Sequence, residues 1–230
     1  PDTEYIGYID FRTLAILFCL MTVMAGLQKL GIFRRVARIL LQHTHNVIAL
    51  AEILVLLCFF FSMLITNDVA LITFVPFTFT VLHLSGEDAV RKLAVPVVVL
   101  QTIAANLGSM LTPIGNPQNL YLYGKIQMFP IAFIKLMLPY SAVSLLFLLI
   151  CTTVAAKHSG IAVRDVAGAL QAEDAGQETA GWRRYLPVFY LILFLLCLLT
   201  VAHMIPYPVT LGIVVLGVGI LDRTIIGKVD

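Results

Sequence analysis

Apolar runs separated by short polar joints dominate this sequence. About 20 mainly apolar helical residues are needed to cross the hydrocarbon core of a bilayer, which is about 30 Å thick. Runs that approach or exceed this length lie at positions 11–30, 48–65, 69–84, 93–124 and 136–156, and within 185–221. The pattern therefore predicts an all-α polytopic membrane protein.

The run 93–124 carries no charge, yet its centre is poorly suited to a continuous helix. The segment 106–119 reads NLGSMLTPIGNPQN, and four helix breakers lie within ten positions of it: Gly108, Pro113, Gly115 and Pro117. In lipid, backbone groups freed by such residues are tolerated only where they line a cavity or are covered by protein. We therefore predict a helix, an unwound polar loop and a second helix. A proline kink that nearby Ser and Thr satisfy is the alternative.

The apolar arms 48–65 and 69–84 flank the tripeptide Thr66-Asn67-Asp68. Both arms could cross the membrane fully, which places Asp68 at the outer surface. They could instead fold back halfway as a re-entrant hairpin, which places Asp68 near the bilayer midplane. An ionisable group there costs at least about 2.5–3.5 kcal/mol and marks a functional site. The residues alone leave both alternatives open.

Composition and charge support a membrane protein and give an orientation. Hydrophobic residues make up 60% of the chain and charged residues 12%, about half the charged fraction of a soluble domain. The net charge of +2 is too small to indicate a nucleic-acid partner. The positive-inside rule assigns most basic residues to cytoplasmic joints. They are Arg34, Arg35, Arg38, Arg91, Lys92, Lys157, Arg164, Arg183, Arg184, Arg223 and Lys228. The N-terminal residues, the joint 125–135 and the turn at Pro206 are then outside.

Several polar stretches complete the predicted layout. The arginine-rich stretch 33–42 predicts an amphipathic helix in the membrane interface, or else an extension of the preceding helix. Residues 85–92 read as a charged loop, and Pro206 with Pro208 predicts a turn between two final spans. Glu52 is expected to pair with a cytoplasmic base. His83 and His203, at span ends, are interpreted as interfacial.

Two motifs carry a resemblance to a known group of membrane proteins. TNDVALITFVPF at 66–77 and NLGSMLTPIGNPQNLYLY at 106–123, preceded by IDFRTLAILFCLMTVMAGLQKLG at 9–31, resemble the ion transporter superfamily. This group includes arsenite permeases, citrate transporters and divalent anion:sodium symporters. The resemblance implies an inverted-repeat transporter core, in which each repeat holds one re-entrant helical hairpin and one broken transmembrane helix whose loops meet at the substrate site. It favours the re-entrant alternative.

One motif of each kind is present, so the resemblance implies about half of such a transporter. Residues 1–156 are then expected to form the first core repeat. It comprises a span, the interfacial helix, the hairpin 46–84, the broken helix 93–124 and the span 136–156. Residues 157–184 form a cytoplasmic linker, and 185–230 the opening two spans of a truncated second half. The expected partners are the lipid bilayer, a small-molecule or ionic substrate and the missing second repeat of the same protein; a homodimer is compatible with this layout.

The predicted site lies where the hairpin tip meets the unwound loop. Asn67 is expected to cap the helix that begins at Asp68, and Asn116 the helix that begins at Pro117. Helix N-termini favour anions, and in transporters unwound carbonyls bind the coupling cation. The predicted substrate- and ion-binding residues are Thr66, Asn67, Asp68, Asn106, Gly108, Ser109, Thr112, Pro113, Gly115, Asn116, Pro117 and Asn119. Bound Na⁺ is predicted at Thr66, Asn67 and Asn116, and Asp68 is expected to carry a proton or contact the cation.

Individual positions refine this prediction. The symporters carry Ser-Asn-Thr at the hairpin tip, whereas the Asn67–Asp68 pair is more similar to the arsenite permeases, which argues against dicarboxylate–sodium symport. Asn116 and Asn119 are expected to face Asn67. Because Asn119 makes no cap, its replacement is expected to change binding and leave stability unchanged. Ser109 and Thr112 equally suit bonds to their own or a neighbouring helix.

The resemblance predicts a secondary active transporter that moves a small anion, a carboxylate or an oxyanion, across the cytoplasmic membrane in symport or antiport with H⁺ or Na⁺. A cation/proton antiporter of the same superfamily is the alternative. A channel-like pore subunit is more distant, because repeated filter segments and ring-forming charges are missing from the sequence. We expect no enzyme, because the sequence has neither a nucleophile–base pair nor an HExxH motif. No cofactor is expected besides the coupling ion.

Overall fold

The computed structural model describes residues 10–41, 44, 46–126, 128–160 and 185–221. The elements among them are all helices: α1 Phe11–Lys29, α2 Ile32–Leu41, α3 Val47–Phe61, α4 Asn67–Ser85, α5 Glu87–Ser109, α6 Pro117–Ile126, α7 Pro130–Ser159, α8 Leu186–Val201 and α9 Tyr207–Leu221. Within the described residues, α1, α4, α5 and α7 are long and apolar enough to cross a membrane. The prediction of an all-α polytopic membrane protein is confirmed.

Helices α1 and α2 are separate elements. Asp10 caps α1, because its Oδ1 accepts the backbone N–H of Thr13 at 3.1 Å. The helix ends next to Gly31, whose φ of 68° lies in the left-handed region that breaks a helix. The stretch 33–42 is therefore no extension of α1. Helix α2 buries a stripe of Phe33, Ala37 and Leu41 against the protein, while its location in the membrane interface stays a prediction.

Helices α3, α4 and α5 form the centre of the fold. Both α3 and α4 pack on α5, and α7 packs on α3 and α5. Gln101 of α5 is fully buried between them; its Nε2 donates to the Leu54 carbonyl at 3.0 Å and to Thr78 Oγ1 at 2.8 Å. Glu52 differs from its predicted pairing with a base, because its Oε1 accepts the Thr153 hydroxyl of α7 at 2.7 Å.

The broken helix is longer than the sequence predicts. Helix α5 begins directly after Gly86, so residues 87–92 are helical and the predicted charged loop at 85–92 is wrong. Glu87 and Asp88 stand in the first turn of α5, where negative charge stabilises a helix. The helix ends at Ser109 and α6 starts at Pro117. Residues 110–116 are unwound, which excludes the plain proline kink.

The remaining elements flank this centre. Helix α7 covers 130–159 and ends at Gly160, whose φ is 63°, so it extends beyond the predicted span 136–156 at both ends. Most of the predicted linker, 161–184, and the segment 222–230 lie outside the described residues. Residues 202–206 separate α8 from α9, so the predicted turn includes Pro206, whereas Pro208 already lies in α9. Helices α8 and α9 both pack against α1.

Candidate functional site

The start of α4 is hydrogen-bonded to the broken helix. The backbone N–H of Asn67 donates to the carbonyl of Gly115 at 3.3 Å. The side-chain Nδ2 of the same Asn67 donates to Asn106 Oδ1 at 3.0 Å, in the last turns of α5. From the other side, the Thr112 hydroxyl donates to the carbonyl of Met63. The loop before α4 and the loop 110–116 therefore form one junction, as the two motifs predict.

The cap of α4 differs from the prediction. The N-cap residue is Thr66, with extended backbone angles and no side-chain cap bond, and Asn67 is already the first helical residue. This one-residue shift has a consequence, because a capping side chain would be turned back onto its own helix. Asn67 instead has its amide free to reach Asn106. Asp68 stands in the first turn of α4 with its side chain exposed.

Asn116 caps α6 as predicted. Its Oδ1 accepts the backbone N–H of Asn119 at 2.7 Å, and its Nδ2 donates to Ser109 Oγ at 3.3 Å. Proline is favoured at the first helical position because it has no N–H to satisfy, and Pro117 occupies that position. The positive end of α6 is thereby fixed against the end of α5.

Asn119 closes the unwound loop. Its Nδ2 donates to three carbonyls: Ser109 at 3.3 Å, Met110 at 3.1 Å and Thr112 at 3.1 Å. A helix end leaves its last carbonyls without partners, and this amide bonds to the carbonyl of Ser109, the last residue of α5, and to two carbonyls of the loop. These contacts argue against the expectation that replacing Asn119 leaves stability unchanged, since its amide bonds to three carbonyls.

Two glycines allow the close approach of the backbones. A Cβ on Gly108 would stand 2.0 Å from the carbonyl oxygen of Phe59, and a Cβ on Gly115 would stand 2.2 Å from the carbonyl oxygen of Ser109. Both distances are far below van der Waals contact. Helix α3 packs this closely on α5, and the loop 110–116 on the end of α5, only because these two positions carry no side chain.

The twelve predicted residues gather in one cluster with an inner and an outer part. Buried members are Thr66, Gly108, Ser109, Pro113 and Gly115; half-buried members are Asn67, Thr112, Asn116 and Asn119; exposed members are Asp68, Asn106 and Pro117. The buried part shapes the backbone. The exposed part includes a carboxyl group and an amide, which are accessible to a ligand.

The donor set is compatible with a hard monovalent cation. Na⁺ is bound by oxygen atoms, and the junction offers hydroxyl, amide and carbonyl oxygens together with the Asp68 carboxylate. The predicted ligand Asn116 already uses its Oδ1 to cap α6, which leaves one lone pair of that oxygen. Among the described residues, no group of three or more His, Cys, Asp or Glu side chains is placed to hold a metal.

A second polar constellation was not predicted from the sequence. The Arg12 guanidinium donates to Nδ1 of His203, and the His203 ring stacks on Tyr123 with centroids 5.6 Å apart and planes at 14°. These three residues line a cavity of about 690 Å³. His203 adopts a φ of 62°, which is rare for a residue other than glycine. The interpretation of His203 as merely interfacial missed this cavity.

Comparisons with known proteins give consistent similarities. A family model described as citrate transporter matches residues 2–230. The chain is 36% identical over 144 residues to the inner membrane protein YbiR of Escherichia coli, a match that covers 62% of the chain and 37% of that protein. It is 30% identical over 146 residues to the uncharacterized transporter MJ0456 of Methanocaldococcus jannaschii, covering 64% and 40%. It is 34% identical over 132 residues to the silicon efflux transporter LSI3 of Oryza sativa subsp. japonica, covering 57% and 26%. The matched part thus spans two fifths or less of each relative.

Proposed function

Because this chain belongs to the citrate transporter family, we propose that it is part of a secondary active transporter that moves a small anion across the cytoplasmic membrane, coupled to H⁺ or Na⁺. The family and two of the relatives are named as transporters, which confirms the predicted class of a membrane transporter and not an enzyme. The name of the Escherichia coli relative, an inner membrane protein, supports the location. The second repeat of the same polypeptide is proposed to complete the site.

The observation that carries the proposal is the junction of Asn67 with Gly115 and Asn106. It brings the N-terminus of α4 to the unwound loop that leads into the capped N-terminus of α6. Each helix N-terminus carries about half a positive charge, although the N–H of Asn67 is bonded to Gly115 and that of Asn119 to the Asn116 cap. Two such ends at one place favour an anionic substrate group, and neutral oxygens of the loop suit the coupling cation.

The substrate class follows from the same chemistry and from the relatives' names. The family is named for citrate and one relative for silicon efflux. Citrate is a small, oxygen-rich anion, and neither name indicates an apolar organic substrate. We therefore propose a carboxylate or an oxyanion. Asp68 is proposed to carry the proton or to contact the coupling cation, because it is the exposed carboxylate of the junction.

We also propose that α3 and α4 form a re-entrant hairpin. Helix α3 has 15 residues and is therefore only about 22 Å long, shorter than the hydrocarbon core of about 30 Å. The tip at Asn67 bonds to the loop that precedes α6, and α6 has 10 residues. Helix α6 is therefore about 15 Å long and runs from this loop to Lys125, in the joint that the charge pattern places outside. This length supports a hairpin tip that lies well below the outer surface.

Uptake by the intact transporter in proteoliposomes tests the proposal. We expect radiolabelled citrate or arsenite to accumulate above equilibrium when a Na⁺ or pH gradient is imposed. The Asn67→Ala variant should lose this accumulation, because it removes the bond to Asn106. The matched control is Gln118→Ala, an exposed polar residue of α6 outside the predicted set, which should keep it. Flux that only follows the substrate's own gradient and never concentrates it would indicate a channel and contradict the proposal.

A further inference from the structure

The cavity lined by Arg12, Tyr123 and His203 has the donor chemistry of an anion site. It lies between the start of α1, the residues that join α6 to α7 and the turn between α8 and α9. These are the three segments that the charge pattern places outside. Its volume is about 690 Å³, and none of its described lining residues is acidic. Such a volume is large enough for a small organic ligand.

Three side chains with donor groups line the cavity. The Arg12 guanidinium has five N–H groups and is always charged, and one of them donates to His203 Nδ1. Since Nδ1 accepts this bond, the neutral His203 ring carries its proton on Nε2, which is therefore a donor. Tyr123 supplies a hydroxyl, and its side chain is 1% exposed. Arginine, imidazole N–H and phenol together recognise a carboxylate.

The Tyr123 hydroxyl provides an independent indication of a ligand. It is buried and has no hydrogen-bond partner among the described residues. A buried donor without a partner destabilises a fold, so such groups are uncommon unless something else satisfies them. Asp10, the N-cap of α1, bonds to the backbone N–H and the hydroxyl of Thr13 at 3.1 and 3.0 Å and not to this hydroxyl.

We propose that this cavity binds a small organic carboxylate, separately from the junction of α4 with the broken helix. Arg12 holds the charge, while His203 and Tyr123 donate to the carboxylate oxygens. Met128 and Phe129 line the apolar part of the cavity and suit a compact hydrocarbon group. The cavity lies at the end of the molecule that contains the start of α1. It would therefore hold an anion before or after the anion passes through the junction.

Fluorine NMR on the intact transporter in detergent tests this site with 4-fluorobenzoate as the probe. The cation 4-fluorobenzylammonium has nearly the same size and serves as the charge control. We expect the anion to bind and the cation not to bind. Arg12→Gln should lower the affinity for the anion at least about tenfold, equal to about 1.4 kcal/mol of binding free energy. Lys135→Gln, which removes a positive charge near the same end but outside the cavity, should leave the affinity within about twofold.

Tyr123→Phe makes the test independent of folding defects. It removes only a hydroxyl that lacks a partner among the described residues, so the ligand-free variant should melt no lower than the unmodified protein. We expect it to bind 4-fluorobenzoate more weakly, whereas Asn106→Ala should bind it with unchanged affinity. The inference is overturned by any of three results: no binding of the anion, equal binding in Tyr123→Phe, or loss of binding in Asn106→Ala alone. The first two results would leave the proposed uptake through the junction unaffected, whereas the third would place the bound anion at the junction itself.

Discussion

Asn119 illustrates how much of the junction depends on single side chains. Its position one turn into α6 can be read from the sequence, and its cap bond to Asn116 follows from the Asn-Pro pair. Its three acceptors cannot be read from the sequence, because the carbonyls of Ser109, Met110 and Thr112 converge only after the loop has closed. A single amide therefore links the end of one helix to the start of the next.

We predict that the unmodified protein is the most stable, the Asn119→Ala variant less stable and the Asn119→Asp variant the least stable. Alanine removes the donor of three carbonyls, which should destabilise the protein by about 1–3 kcal/mol. Aspartate has nearly the same shape but directs a carboxylate at the same carbonyls, so repulsion adds to the loss. Thermal unfolding of the intact transporter in detergent measures the order. An Asn119→Asp variant as stable as the unmodified protein would show that the amide does not face the loop carbonyls.

Asp68 is the residue on which the coupling proposal rests. Its side chain is exposed in the first turn of α4, so Asp68→Asn should leave folding and membrane insertion unchanged. We expect the variant to lose gradient-driven uptake or to change its pH dependence. Glu87→Gln is the matched control, because it neutralises another exposed acid in the first turn of a helix, α5. If the Asp68→Asn variant showed uptake with unchanged ion and pH dependence, Asp68 would have no role in coupling and would serve only at the start of α4.

At the scale of elements, the packing of α3 on α5 depends on the absence of side chains at glycines. Gly108 faces the carbonyl of Phe59 and the hydroxyl of Ser62, where a Cβ would come within 2.0 and 2.6 Å. Because the first of these atoms belongs to the backbone, it cannot rotate away. With a side chain at Gly108, α3 and α5 would have to move apart. This movement would also break the hydrogen bond from Thr112 to the Met63 carbonyl.

We therefore predict opposite effects for two glycine substitutions. Gly108→Ala should destabilise the intact transporter by about 1–3 kcal/mol, as overpacking does. Gly212→Ala in α9 has nothing within 4 Å of its added Cβ and should be neutral or stabilising by up to about 1 kcal/mol. Melting temperatures of the two variants in one detergent give the comparison. If the Gly108→Ala variant had the same melting temperature as the unmodified protein, α3 and α5 would not be in this close contact.

The elements also show what the sequence could and could not predict. The unwound segment 110–116 was predictable because Pro and Gly leave the helix few alternatives. The first two turns of α5 were not, because Glu87 to Lys92 looks like a loop by charge although acids at a helix start are stabilising. The cavity was missed for a different reason. Arg12 and His203 are 191 positions apart, and no local pattern connects them.

At the scale of the whole molecule, the fold groups together the segments that the charge pattern assigns to the same side. Arg12, Phe129 and Pro206 belong to three segments that the charge pattern places outside, and all three line one cavity. The charged residues that begin α5 and those that end α7 belong to the cytoplasmic set, and Lys92 donates to the carbonyl of Ser159 at 3.1 Å across these two ends. The two groups define opposite ends of the helix bundle, between which the junction of α4 with the broken helix lies.

This layout gives a direct test of the hairpin's depth. Single cysteines would be placed at Thr66, Asn67 and Asp68 in an intact transporter from which Cys19, Cys58, Cys151 and Cys197 have been removed. If α3 and α4 turn back inside the membrane, an impermeant thiol reagent should label these positions slowly from either side, and substrate should protect them. Phe129→Cys is the control for the outer end, because its side chain is 78% exposed. Glu87→Cys, with a side chain 92% exposed, is the control for the inner end. Labelling at 66–68 that is as fast as at Phe129, occurs from outside and is unaffected by substrate would mean that both arms cross fully, which the 15 residues of α3 make difficult.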